Sequence, residues 1–206
     1  MSQNLRIPLP HPAADTPLGH VLRSRRSVRQ FSGTPITLAE LAQLLWAAQG
    51  ITDDAGKRAA PSAAAQYPLR LYIAVGDVSE LPPGLYAYDP QQHGLSPLET
   101  TDLRPALADA AIGDQPWVNE AAVIIAVAAN LTAIDTHFAT QQPDGRRGAR
   151  YAYVETGALC QNVHLQATAL DLGMVLVGGF DDAAANAALP LSAGEETTAL
   201  LCLGRV

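Results

Sequence analysis

Four of the 13 basic residues fall within seven positions, Arg23-Ser24-Arg25-Arg26-Ser27-Val28-Arg29, in a chain whose balance is otherwise acidic. A cationic run at a helix end is ordinarily a solvated terminus that complements the helix dipole. Here Arg25, Ser27 and Arg29 alternate, so an extended segment turns two guanidinium forks and a hydroxyl to one side. That set suits a multivalent anion, and a phosphate monoester is the natural ligand. Two further features read, taken alone, as ordinary structure. Arg205 follows Gly204 after the last apolar run, as a solvated end or as a terminus tied down beside a ligand. Gly178-Gly179 follows Met174-Val175-Leu176-Val177, as a turn or as a backbone without Cβ that a planar ligand can approach closely.

Other chemistries lack their residues. No GxGxxG, GxxxxGK[ST] or GxSxG occurs, so the common nucleotide cradles and the hydrolase elbow have no basis. The five histidines, His11, His20, His93, His137 and His164, show no ligand spacing, and metal catalysis is not expected. Cys160 and Cys202 lie far apart in apolar runs and read as buried free thiols. A net charge of −7 with a pI near 5.1 gives no basic field for nucleic acid or an anionic membrane. The longest near-continuous apolar run, residues 121–131, falls well short of the ~20 residues a spanning helix needs. Met1 to Thr16 carries three prolines and no apolar h-region, so a cytoplasmic protein without a secretory signal is expected.

The elements that must position these groups are legible in outline. At 206 residues and 48% hydrophobic, the chain suits a single domain over 1–206, with residues 1–15 as an extended arm. A short helix is expected over 16–25, followed by an extended stretch through Phe31. Thr37 with Glu40 forms a capping box before Leu38, Leu41, Leu44, Leu45 and Ala48, and Gly50 marks the stop. Strands are expected at 70–75, from Gly84 and from Gly94, then a short helix over 101–112. The run 121–129 shows no alternation, as in a strand covered on both faces. Residues 148–172 read as a long helix ended by Gly173, with apolar groups around most of its circumference. Strand 174–177, a short helix over 182–189 capped by Asp181 or Asp182, and strand 198–203 close an α+β fold. Trp46 and Trp117 are core aromatics or flank a ligand, Gln115 is a residue of the pocket rim or of plain packing, and Glu155 is either a buried, paired carboxylate or exposed at an oligomer edge.

In this order the segments resemble the FMN-dependent nitroreductase-like superfamily, and within it the dehydrogenases of thiazole/oxazole-modified peptide biosynthesis. The resemblance runs from Arg25-Arg26-Ser27-Val28-Arg29-Gln30-Phe31 through 44–51, Ala60-Pro61-Ser62-Ala63 with Tyr67-Pro68, and Pro83-Gly84-Leu85-Tyr86-Ala87-Tyr88-Asp89-Pro90. It continues through Gln161-Asn162, 167–173 and Val177-Gly178-Gly179-Phe180 to Gly204-Arg205. It implies a mixed or antiparallel central sheet flanked by helices, with a long buried central helix, in a homodimer that shares its active sites. It implies that Arg25, Arg26, Ser27 and Arg29 grip the phosphate and ribityl chain of FMN while Arg205 closes on the phosphate. It implies further that Pro61, Ser62 and Ala63 line the flavin ring and that Val177, Gly178 and Gly179 touch it through backbone. The implied activity is hydride transfer from NAD(P)H through the flavin to a nitroaromatic or quinone. Azoline oxidation on a peptide and a catalytically quiet flavin-binding protein are the alternatives. Ala64 and Ala65 depart from the Gly and Asn common among relatives.

Overall fold

Val123-Ile124-Ile125-Ala126-Val127-Ala128-Ala129 carries no polar side chain. In the computed structural model, which describes Ile7–Pro8 and residues 18–206, it is an interior strand of a seven-stranded sheet. The strands are β1 (Ile7–Pro8), β2 (Ile36–Thr37), β3 (Leu69–Val75), β4 (Val78–Ser79), β5 (Gly84–Asp89), β6 (Gly94–Glu99), β7 (Val123–Asn130), β8 (Leu172–Val177) and β9 (Glu195–Arg205). The helices are α1 (Leu18–Ser24), α2 (Leu38–Gln49), α3 (Arg104–Ala110), α4 (Trp117–Glu120), α5 (Leu131–His137), α6 (Arg147–Ala169) and α7 (Asp182–Ala187). The sheet order is β1-β6-β5-β3-β7-β9-β8, with every neighbouring pair antiparallel. β2 and β4 pair separately, in parallel.

Side chains alternate between the faces of this sheet. Ile73, Val123, Ile125 and Leu201 enter one core, closed by α2, α5 and α6. Ala74, Ile124, Ala126 and Leu200 enter the other, closed by α3, α4 and α7. Burial on both faces explains why β7 shows no alternation in its sequence. Cys160 and Cys202 are buried free thiols, one in each core, and burial pushes both up to about 12.

Local signals set some boundaries and tertiary contacts set others. Thr37 caps α2 through the full capping box, its Oγ1 accepting from Glu40 N–H at 3.1 Å while Glu40 Oε2 accepts from Thr37 N–H at 2.7 Å. Gly50 does end α2, but with extended backbone (φ −61, ψ 145) and no left-handed cap. α6 ends before Gly173. Asp171 takes the left-handed turn (φ 55), as Asp tolerates better than most residues, and the chain enters β8 at Leu172. In the single chain α6 is buried along one stripe, including Ala152, Glu155, Leu159 and Val163, and leaves Tyr153 and Val154 exposed at 53% and 65%.

Gly173 serves a close approach. A Cβ there would lie 2.7 Å from Val28 Cγ1 and from Val206 Cγ1. Gly204 does the same, with Phe31 ring carbons 2.8 Å away. These two absent side chains let residues 27–32 lie against the ends of β8 and β9. Ser27 forms a parallel bridge to Met174, Val28 N–H donates to Met174 O at 2.9 Å, and Ser32 N–H donates to Arg205 O at 2.9 Å.

α1 ends at Ser24, one residue before the expected end at Arg25, and Thr16 and Pro17 of the expected helix lie outside the described residues. Of the arm 1–15, Ile7–Pro8 pairs antiparallel with Gly94–Leu95; the remainder lies outside the described residues. Among the described residues, no helix is long and apolar enough to cross a membrane.

Candidate functional site

The cationic segment meets both helical layers at the sheet end. Arg25 is half-buried, its Nη1 lying 3.4 Å from His164 Nδ1 and 3.3 Å from Nε2. His164, on α6, bonds the Arg26 carbonyl through Nε2 at 2.9 Å. Burial, helped by the charge of Arg25 and opposed by the Arg26 bond, lowers the His164 pKa and so favours the neutral ring; in the tautomer that donates from Nε2 to the Arg26 carbonyl, Nδ1 is the acceptor open to Arg25. Arg26 is exposed, and its Nη1 donates to Arg23 O at 3.0 Å and Arg25 O at 2.7 Å. Arg29 turns to the other layer, its guanidinium 5.4 Å from the centroid of the Trp117 ring.

Alternation therefore does not bring Arg25 and Arg29 onto one anion-facing side, as the spacing alone predicts. The Ser27–Met174 bridge divides them, and each guanidinium finds its own packing partner. Neither of those partners is an acid. Among the described residues, Arg70 pairs with Glu195, Arg104 with Asp102 and Arg205 with Glu40, while Arg25, Arg26 and Arg29 have no carboxylate partner. Trp117 Nε1, beneath Arg29, is buried without a hydrogen-bond partner. An open cleft of about 980 Å³ runs here, lined by Val28, Arg29, Gln30, Phe31, Trp117 and Val206 among others.

Gly178 and Gly179 continue β8 toward α4, where Gly179 O accepts from Ile112 N–H at 2.9 Å and from Gln115 Nε2 at 3.0 Å. Gln115 thus belongs to this backbone corner, immediately before the turn that presents Trp117. A Cβ at Gly178 or Gly179 would meet nothing closer than 3.9 Å, so the protein's own packing does not demand glycine at either position. Val177 is buried beneath them. Arg205 is the acid-bound exception among the sequence candidates, Nη2 reaching Glu40 Oε1 at 2.9 Å and Oε2 at 2.8 Å. Burial raises the Glu40 pKa, but the Thr37 N–H and Arg205 outweigh it and hold the carboxyl below its usual range.

The loop carrying Pro61, Ser62 and Ala63 has a different construction. Glu155, 4% exposed on α6, accepts from Ala63 N–H through Oε1 at 2.7 Å, and the Ser62 hydroxyl bonds the same carboxylate. Burial raises the Glu155 pKa, and the Ala63 and Ser62 bonds only partly offset it. Ser62 Oγ also accepts from Tyr67 N–H at 2.7 Å. Between these anchors Ala64, Ala65 and Tyr67 all take left-handed backbone, φ 50, 52 and 47. Arg58 lies over the Tyr67 ring at 4.4 Å and donates to Gln49 Oε1 at 2.8 Å.

These donor sets fit a flavin nucleotide: among the described residues, three guanidinium groups without acids, one of them over Trp117, and a glycine pair, bonded by the nearby Gln115, whose open face a flat ring can reach. What the sequence did not show are the pairings of Arg25 with His164, Arg205 with Glu40 and Arg29 with Trp117, since each joins an arginine to a distant element.

A model of the Nitroreductase family matches residues 22–205. MJ1384 of Methanocaldococcus jannaschii, a nitroreductase by name, is 39% identical over 182 residues, covering 88% of each chain. A Ralstonia eutropha JMP134 structure, also a nitroreductase by name, superposes with a TM-score of 0.81 at 29% identity, over 98% of this chain and 89% of that one. The NADPH:FMN oxidoreductase of Vibrio harveyi, solved with NAD+, shares the fold at a TM-score of 0.64 and 21% identity, over 91% of this chain and 68% of that one. This chain belongs to the Nitroreductase family and is a flavin-dependent oxidoreductase.

Proposed function

We propose that the chain binds FMN and uses NAD(P)H to reduce an electron-poor acceptor, a nitroaromatic or a quinone, the donor leaving before the acceptor enters. The observation that carries this reading is that, among the described residues, Arg25, Arg26 and Arg29 have no acid partner, while Arg29 lies over Trp117, two residues after the Gln115 that holds the open Gly178-Gly179 backbone. FMN supplies the two-electron chemistry at its ring, so no protein acid or base is required for the transfer. Arg25, Arg26 and Ser27 hold the phosphate and ribityl chain. Arg205 adds the rest of its fork to the phosphate while Nη2 stays on Glu40, a shared arrangement that a guanidinium's five donors permit. Arg29 supplies the cation that stabilises charge on the reduced ring's pyrimidine side. Val177, Gly178 and Gly179 approach the ring through backbone. Pro61, Ser62 and Ala63 cover a ring across the interface of a homodimer, in which the exposed Tyr153 and Val154 of α6 pack against a second copy.

Absorbance of the purified protein, followed by anaerobic titration with NADH and NADPH, tests this reading. The expected result is an oxidised-flavin spectrum bleached by at least one nucleotide and restored by a quinone or nitro acceptor. A yellow protein bleached by dithionite alone is a quiet flavin binder. Oxygen uptake driven by a thiazoline peptide but by neither nucleotide marks an azoline dehydrogenase. A protein that stays colourless with excess FMN overturns the proposal.

A further inference from the structure

Glu155 is a buried acid that the redox reading does not use. Among the described residues it has no cationic partner within ion-pair distance; the groups that bond it are the Ala63 N–H and the Ser62 hydroxyl. A carboxylate buried at this cost is retained where its acceptor capacity fixes something. What it fixes is one end of a loop whose next residues would otherwise relax: Ala64, Ala65 and Tyr67 are all left-handed, and none is a glycine. Left-handed backbone in residues with a Cβ persists only where the surroundings over-determine it. The surroundings here are two linked clamps. Glu155 holds Ser62 and Ala63 from α6, and Ser62 Oγ holds Tyr67 N–H at the far end. The clamp reaches from the core through Glu155 to the strand leaving the loop, since Pro68 and β3 follow Tyr67 directly.

We infer that Glu155 is the positioning residue of the Pro61–Ala63 loop, its carboxylate setting the backbone that this loop presents to the flavin. The inference rests on the reading that the loop lines the ring, while the clamp itself can be measured without flavin. Carboxylate oxygens are needed as acceptors, and the negative charge is not: the side-chain carbonyl of a glutamine at this position can still accept from Ala63 N–H, whereas a leucine of similar volume cannot.

The experiment compares the wild-type chain with Glu155→Leu and Glu155→Gln. Amide hydrogen exchange is followed by NMR at Ala63, Tyr67 and the β7 core, and FMN affinity by fluorescence quenching. For Glu155→Leu, exchange at Ala63 and Tyr67 is expected to speed at least tenfold with β7 protection retained, and FMN affinity to fall at least tenfold. Glu155→Gln is expected to recover most of both, and its visible circular dichroism with FMN bound should match wild type. Unchanged exchange at Ala63 in a folded Glu155→Leu chain overturns the clamp. Accelerated exchange with unchanged FMN affinity overturns the link to the flavin, and with it the assignment of Pro61–Ala63 to the ring, even if FMN binds at Arg25–Arg29. If Glu155→Leu does not fold, Glu155→Gln decides: wild-type protection at Ala63 upholds the acceptor argument, and a tenfold loss of protection there contradicts it.

Discussion

The segment Arg25–Arg29 and the loop 61–67 both belong to the proposed flavin site, and they are opposite solutions to holding a ligand-facing backbone. The first is relaxed in geometry and, among the described residues, unsatisfied in charge: extended backbone bridged to Met174, with three guanidinium groups that lack acids there. The second is satisfied in hydrogen bonding and strained in geometry, with a buried carboxylate bonded to Ser62 and Ala63 and three left-handed residues beyond it. Surplus charge costs little at an exposed sheet end, where water screens it until an anion arrives. Backbone strain costs stability at all times and needs a core anchor. The anion's tail can therefore be met by side chains that adjust, while a flat ring is met by backbone that must not move.

The largest effect should come from lifting the relaxed segment off its support. Gly173→Val places side-chain carbon where Val28 and Val206 pack at 2.7 Å from a bare Cβ. Overpacking of this kind costs about 1–3 kcal/mol, and denaturant unfolding should show a loss near the upper end, together with weaker FMN binding. A variant as stable as wild type and with full FMN affinity would mean that the β8 contact does not position the cationic segment.

Arg29→Ala should separate binding from stability. Arg29 has a Trp117 contact worth about 0.5–1 kcal/mol at an exposed site, so unfolding free energy should change by no more than that. FMN affinity should fall at least tenfold, about 1.4 kcal/mol, and the flavin midpoint potential should drop because the reduced ring loses its cation. Equal losses in stability and affinity would place Arg29 among the packing residues, and the contrast between the two regions would fail.

These contrasts were unevenly legible in the sequence. α2 could be read because its capping box is local, Thr37 and Glu40 being three residues apart. β7 could be read because burial on both faces leaves an unbroken apolar run. The anchors of the site could not: Ala63 and Glu155 are 92 residues apart, Arg25 and His164 139, and Glu40 and Arg205 165. Sheet order brings them together, and no spacing rule spans such distances. Gly173 was misleading for a physical reason, since a glycine after a helix signals a stop while this one clears space for Val28. The Arg25, Ser27, Arg29 alternation misled in the same way: same-side projection holds for a strand, but each arginine side chain here reaches around the sheet end to its own layer.

The strained loop yields the smallest effect and the sharpest test of the comparison. Left-handed backbone at Ala64, φ 50, costs roughly 1–2 kcal/mol. Glycine removes that cost but gives the unfolded chain more freedom, which offsets about 0.4–1 kcal/mol of the gain. Ala64→Gly should therefore be neutral to stabilising, by at most about 1.6 kcal/mol, or a rise in Tm of no more than roughly 6 °C at this chain length. If the Glu155 clamp dictates the loop conformation, the glycine variant keeps the wild-type protection of the Ala63 amide while gaining stability. If the alanine's own stiffness does part of the holding, stability rises and Ala63 exchange accelerates together, because the loop gains other conformations. A loss of stability would require Ala64 to make a methyl contact that outweighs its backbone strain, and its exposed position argues against one.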